Sequence, residues 1–369
     1  LESINHIITD LVQQAKIHVT NIYEIVVAGN STMQQIFCGF DPSALGELPF
    51  VQVFDEAQTL SAARLGLKAS PGAEVFVFPQ IGGFVGGDTV AGFLASRLDQ
   101  WDKPVVFVDI GTNGEIVLSC NGQLLATSTA AGPAFEGARI NHGMRATAGA
   151  IEKVIIRDDV VLNVIGNSRP VGICGTALID TVAELLRCGI IDASGRILSA
   201  DDVPPSVSKA VRNRLIAKNG ETNFILATAN ETASGTDIYL SQKDVREVQL
   251  ATGAIRAGIS ILLRKMNMKV QDLGAVLLAG AFGNFIRRSN ARRMGLLPQI
   301  PCDHIRFIGN AASLGAKMAL LSVDERKSAS YLRNKACHVD LSLDHEFQME
   351  FADGMMFPDA DFDTCKIEE

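Results

Sequence analysis

Asp109-Ile-Gly-Thr-Asn-Gly-Glu115 sits between two apolar runs, and the chain can accommodate it in few ways. Residues 105–109, 114–119 and 123–128 read as three strands so closely spaced that only an antiparallel meander joins them. Asp109 ends a run of Val and Phe, where a carboxylate costs solvation unless it finds a partner. One reading is an Asn-Gly hairpin turn capped by Asp109. The other is a phosphate-binding loop. Such a loop needs small residues so that backbone N–H groups reach the oxygens, side-chain donors, and a carboxylate for a magnesium ion or its water. Asp109, Gly111, Thr112, Asn113 and Gly114 supply all of these.

Other segments share a strand, glycine turn and helix pattern. Residues 275–278 form an apolar strand running into Ala279-Gly280-Ala281-Phe282-Gly283-Asn284. Glycines at a helix start let a purine lie on the backbone, and close strand-to-helix packing explains them equally well. Ala131 to Arg139 is a constrained turn in which Glu136 is a candidate for orienting water or magnesium. Gly172-Ile-Cys-Gly-Thr-Ala177 opens a helix carrying Asp180, with ordinary capping and anion contact both open. Asp88 follows four nearby glycines and can face a cleft or cap a helix.

The pattern also repeats. Val26 to Asn30 parallels Leu277 to Ala281, and Gly86 to Ala95 parallels Gly309 to Met318. Two related α/β halves are expected. A helix at residues 4–15, one from about 177 to 188, a long one over 243–266 and one over 311–321 follow from helical spacing. Residues 41–72 and 199–236 read as irregular, and the aromatic and methionine-rich end from Phe347 to Phe357 reads as packing on the body. A meander precedes the second copy of the repeat, whereas nothing precedes the first. With Leu1 in place of an initiator methionine, the chain reads as a fragment lacking its first meander.

Composition excludes several classes. A net charge of -8 argues against a nucleic-acid footprint, which needs a basic face. No apolar run reaches the roughly 18 residues of a membrane span. Seven cysteines without a C-x-x-C pair indicate neither a disulfide framework nor a zinc or iron-sulfur site. A cytoplasmic location is the expectation.

The order of these pieces, from D-x-G-T meander through A-G-A-F-G-N strand to the small-residue helix after Gly309, resembles the actin, Hsp70 and sugar-kinase superfamily, with its ribonuclease H-like duplicated lobes. More narrowly, residues 29–33, 82–95, 109–115, 128–139, 172–180, 278–284 and 309–321 resemble the ATP-dependent reductive activators of corrinoid proteins. The resemblance implies an α/β fold with a first lobe at 1–103, a second lobe at 104–323 and a C-terminal extension at 324–369. It implies ATP and Mg2+ as ligands, with Asp109 on the metal and Glu136 beside it. Gly111, Thr112, Asn113 and Gly114 would hold the phosphates. Gly280, Ala281, Phe282, Gly283, Asn284 and Gly309 would line the adenosine and connecting elements. It implies an ATPase whose nucleotide state changes the angle between the lobes, coupled to reduction of cobalt(II) to cobalt(I). A corrinoid protein and an electron donor are the implied partners, and a homodimer stays open. Complete members carry a two-iron two-sulfur domain, which is expected only in a portion absent from this chain. A small-molecule kinase of the same fold and a nucleotide-responsive binding protein without turnover are the alternatives.

Overall fold

A computed structural model of the chain describes residues 1–218, 220–280 and 286–358. In chain order the elements begin with α1 (Glu2–Ala15), β1 (Glu24–Val27), α2 (Ser31–Cys38), β2 (Gln58–Ser61), β3 (Glu74–Val77) and α3 (Gly87–Ser96). The meander β4 (Val105–Ile110), β5 (Gly114–Cys120) and β6 (Gln123–Thr129) follows, then β7 (Ala150–Ile156), β8 (Val160–Val164), β9 (Gly172–Ile173) and α4 (Gly175–Arg187). Next come α5 (Lys209–Arg212), β10 (Leu215–Lys218), β11 (Glu221–Ala227), β12 (Ile238–Leu240), α6 (Gln242–Lys265) and β13 (Ala275–Ala279). The chain continues through α7 (Arg288–Arg293), β14 (Ile305–Gly309), α8 (Ala311–Leu321), α9 (Val323–Lys335), β15 (Ala336–His338) and α10 (Phe347–Gly354).

By internal contacts the chain divides into two compact units, each drawn from separate stretches of sequence. The first comprises Leu1–Val105, Val117–Ser128 and Asn310–Val339; the second comprises Val106–Ile116, Thr129–Gly309 and the chain from Asp340 onward.

In the first unit β1 pairs parallel with β3, and β2 lies antiparallel on the other side of β3. Phe37, Ala62, Leu67, Ala73, Val75 and Val77 form a core beside this sheet. The segment 41–72, expected to be irregular, therefore contains a strand. Gln58-Thr-Leu-Ser is short and half-polar, and only its pairing with β3 identifies it. Helix α2 is capped by Asn30, whose side chain accepts from Met33 N at 2.9 Å. Ser31 donates to the carbonyl of Gly82 at 3.0 Å. Helix α8 starts in the same way, with Asn310 accepting from Ser313 N at 2.8 Å. Helices α3 and α8, the matching helices of the repeat, pack on each other. Their backbones approach so closely that a Cβ at Gly315 would lie 2.0 Å from the carbonyl oxygen of Ala91.

A six-stranded sheet runs in the order β14-β13-β4-β5-β6-β15. Strands β13 and β14 are parallel, as β1 and β3 are, and each strand of both pairs is followed along the chain by a helix. The turns of each pair are tied together. Asp88 N donates to Gly29 O at 3.2 Å in the first, and Gly280 N donates to Gly309 O at 3.0 Å in the second. The duplication read from the sequence is thus a duplication of connectivity.

The second unit adds two small sheets that sequence patterning did not reveal. Strands β7 and β8 form an antiparallel hairpin extended by β9, and β10, β11 and β12 form another antiparallel sheet. The latter corrects the irregular reading of residues 199–236. Four consecutive residues of β11, Phe224 to Ala227, are buried, so the strand lacks the alternation that marks a half-exposed one. Helix α6 starts with a capping box: Asp244 N donates to Ser241 Oγ at 3.2 Å and Ser241 N to Asp244 Oδ2 at 2.9 Å. Helix α10 packs on α6, and Phe357 beyond it is buried. Among the described residues no helix is long and apolar enough to cross a membrane.

Candidate functional site

The turn between β4 and β5 is braced from several directions. Within it, Gly111 N donates to Asn113 O at 2.9 Å. From outside, Gly132 N donates to Thr112 O at 2.8 Å, and Thr129 Oγ1 donates to Gly114 O at 3.3 Å. Gly132 reaches this position with φ +78°, a conformation that favours glycine. Gly114 is required by packing, because a Cβ there would lie 2.9 Å from Thr129 Oγ1 and 3.0 Å from Ile255 Cγ1. At Gly111 a Cβ would meet, among the described residues, only Asn113 O, at an ordinary 3.6 Å.

Thr112 is exposed, and its hydroxyl donates to Glu136 Oε1 at 2.5 Å. Glu136 ends a 3-10 turn, Pro133–Glu136, that rests against α4 and α6. The two sequence segments that carried Thr112 and Glu136 as separate candidates therefore meet.

Gly280 closes the other side. Its φ is +98°, and a Cβ there would lie 2.8 Å from Asp109 Oδ1 and 3.3 Å from Ile110 O. A side chain at this position would displace the Asp109 carboxylate. The structure thus brings together Asp109, Gly111, Thr112, Asn113 and Gly114 with Glu136, Gly280 and Gly309 around the ends of β4, β13 and β14. Ala281, Phe282, Gly283 and Asn284 lie outside the described residues. Replacing Gly280 by Ala is expected to destabilise the fold by about 1–2 kcal/mol from backbone strain alone. An unchanged urea midpoint in the variant would show that the close approach to Asp109 is absent.

Two other sequence candidates have structural partners. Asp88, at the start of α3, accepts from Thr89 N at 2.8 Å, and burial pushes its carboxyl above the ordinary range. At the start of α4, Thr176 Oγ1 donates to Glu152 O at 2.7 Å.

Sequence reasoning missed a polar cluster under α4. Asp180 and Glu184 are one helical turn apart and buried. Four helical residues rise about 6 Å and two strand residues about 6.6 Å, so the two carboxylates match alternate amides of a strand. Val154 N donates to Asp180 Oδ2 at 3.2 Å and Ile156 N to Glu184 Oε2 at 3.1 Å. Arginines complete the edge of β7 beyond its short pairing with β9. Arg287 Nη2 donates to Val154 O at 2.6 Å, and Arg187 Nη2 donates to Ile156 O at 2.5 Å. Arg287 Nε and Asn290 Nδ2 also donate to Asp180 Oδ1, at 3.0 and 2.7 Å. Burial raises the Asp180 carboxyl above its usual range, opposed by the charge and hydrogen bond of Arg287 and then by Asn290 and Val154. The i, i+4 acids of α4 were the available signal. Nothing in the sequence distinguishes Arg287 from its neighbour Arg288.

Comparison with known proteins agrees with this architecture. Residues 103–367 match the family described as the C-terminal domain of RACo, the ASKHA domain, and residues 1–101 match the RACo middle region. The chain is 38% identical over 361 residues to the corrinoid activation enzyme RamQ of Eubacterium limosum, covering 97% of this chain and 60% of that protein. It is 27% identical over 339 residues to a [Co(II) methylated amine-specific corrinoid protein] reductase of Methanosarcina barkeri, covering 83% of this chain and 57% of that protein. A solved structure of a reductive activator for corrinoid, iron-sulfur protein superposes with a TM-score of 0.85 at 34% identity, covering 98% of this chain and 57% of that one. The chain spans less than two thirds of the length of each of these relatives. This chain belongs to the RACo family, as a RACo middle region followed by a C-terminal ASKHA domain of the actin, Hsp70 and sugar-kinase fold.

Proposed function

We propose that this chain is the ATP-binding part of a cytoplasmic reductive activator, which uses MgATP to drive reduction of cobalt(II) to cobalt(I) in a corrinoid protein. The observation that carries the reading is the approach of Gly280 to Asp109, which sets a residue without a side chain against the carboxylate of the β4–β5 loop. Gly111 adds to it, because no packing contact among the described residues calls for a glycine there, whereas close approach of phosphate oxygens would.

Among the described residues no group of three or more His, Cys, Asp and Glu side chains is placed to hold a metal ion. Magnesium keeps several waters and is held by one or two carboxylates together with substrate phosphates. Asp109 would hold it, and its chemistry there would be to neutralise phosphate charge. The N–H groups of Thr112 to Gly114 would face the phosphates, and Thr112, fixed by Glu136, would place its hydroxyl beside them. Glu136 would orient water. None of these groups is a strong nucleophile, so positioning and electrostatics would carry the reaction. The electron would come from a separate donor group, and the corrinoid protein would be the partner. The names of the relatives, a corrinoid activation enzyme and a corrinoid protein reductase, support that choice.

ATP turnover should rise severalfold when a corrinoid protein in the cobalt(II) state is added, and not when the same protein is supplied as cobalt(I). Phosphorylation of a small metabolite without any corrinoid effect would replace this reading by a kinase. Saturable ATP binding with no turnover under either condition would replace it by a nucleotide-responsive binding protein.

A further inference from the structure

We propose that a cavity beside α6, lying wholly within the second unit, binds a small monocarboxylic acid with an apolar body, its carboxylate paired with Arg256. The cavity has a volume of about 300 Å³, at the lower end of the range for small-molecule sites. Arg256, Ile259 and Leu263 line it from α6, where residues three, four and seven apart share a face. Val270 adds to the lining from the turn after α6, and Leu297 and Pro298 from the segment after α7. Seven residues of helix rise about 10 Å, so α6 lines the cavity over that length, with Arg256 at one end. None of Asp109 to Gly114, Glu136, Gly280 and Gly309 takes part in the lining, so the cavity is separate from the candidate nucleotide site.

Among the described residues Arg256 is the one charged side chain in the lining. Its Nη1 donates to Gly354 O at 3.3 Å and to Met356 O at 2.7 Å, which closes the C-terminal end of α10 and gives that nitrogen a structural purpose. Nε and Nη2 make no hydrogen bond among the described residues. Burial pushes the guanidinium below its ordinary range, opposed by the charges of Asp353 and Glu350. Neither acid pairs with it: Glu350 is bound to Arg264 at 3.2 Å, and Asp353 is exposed. A half-buried cation without a carboxylate partner is costly, and the Nε and Nη2 edge of a guanidinium matches the two oxygens of a carboxylate. Gly295 makes room for this arrangement, since at φ +75° a Cβ there would lie 3.1 Å from Arg256 Nη1 and 3.0 Å from Pro358 Cγ. One cation at the end of an apolar chamber fits a single negative charge on a hydrocarbon body. A polyphosphate would need more cations, and the hydroxyls of a sugar would find few partners.

The test measures binding of octanoate and of octan-1-ol by calorimetry, in the parent chain and in Arg256→Gln. The expected result is saturable octanoate binding about tenfold tighter than that of octan-1-ol. In Arg256→Gln octanoate should bind about tenfold more weakly, with octan-1-ol within about twofold of the parent. Val270→Trp, at a half-buried position of the lining, should weaken both ligands about tenfold or more by filling the cavity, and serves if Arg256→Gln does not fold. No saturable octanoate binding, or octanoate binding that neither variant weakens, overturns the site. Equal affinity for octanoate and octan-1-ol overturns the pairing with Arg256. Octanoate binding that appears only when residues 359–369 are deleted means that the chain itself fills the cavity, and overturns the proposal.

Discussion

Replacing Asp109 by Asn is expected to weaken MgATP binding about 100-fold and to remove most of any ATP turnover, while leaving the unfolding midpoint nearly unchanged. The change keeps the shape of the side chain and removes the charge that a magnesium ion needs. Loss of a single electrostatic group aimed at a reacting centre costs roughly 3 kcal/mol, which is about the factor quoted. The stability should hold because Asp109 is only partly buried and lies at the end of its strand. Titration of a fluorescent ATP analogue with magnesium in excess measures the effect. Affinity within a fewfold of the parent would mean that Asp109 serves the hairpin turn and not a ligand.

The largest effect on stability is expected from Gly315→Ala. The added Cβ would lie 2.0 Å from the oxygen and 2.6 Å from the carbon of the Ala91 carbonyl. These are backbone atoms of α3, so no rotamer change relieves the clash, and the two helices must separate. Overpacking typically costs 1–3 kcal/mol, and a clash against backbone belongs at about 3 kcal/mol or above. For a unit of this size that corresponds to a fall in melting temperature of roughly 10 °C. A variant that melts with the parent would show that α3 and α8 do not cross at this point. The clash also explains why the helix from Ala311 has so many small residues. Ala311, Gly315 and Ala319 are buried on one face at intervals of four.

The parts of the fold that were legible in the sequence are those with strong local punctuation. The β4–β5–β6 meander was fixed by its short turns, and α8 by its spacing, because glycines and capping residues act at short range. The long helix was expected over 243–266 and found at Gln242–Lys265, its start set by the Ser241 and Asp244 box. What remained hidden depends on partners far away in sequence. Strand β2 is recognisable only through β3, and β11 is buried along most of its length and shows no period-two pattern. The hairpin of β7 and β8, Ala150–Ile156 and Val160–Val164, consists of apolar runs on either side of a short turn, in a glycine-punctuated span where no strand was assigned from the sequence.

The candidate site divides along the same line. Asp109 to Gly114 could be picked out because phosphate chemistry demands small residues and a carboxylate close together. The meeting of Thr112 with Glu136 could not, since 24 residues separate them and only the fold of the intervening turn brings them to 2.5 Å. Asp180 was noticed for the glycine-rich start of its helix. Its side-chain partners Arg287 and Asn290 lie more than 100 residues away.

The most direct test of ATP-driven corrinoid activation is the optical spectrum of cobalt. A corrinoid protein in the cobalt(II) state is mixed with this protein and a reduced electron donor, and the cobalt(I) absorbance is followed with and without MgATP. The expected result is cobalt(I) formation that requires MgATP and disappears in Asp109→Asn. Cobalt(I) appearing at the same rate without ATP, or no cobalt(I) with MgATP bound and the donor reduced, would contradict it.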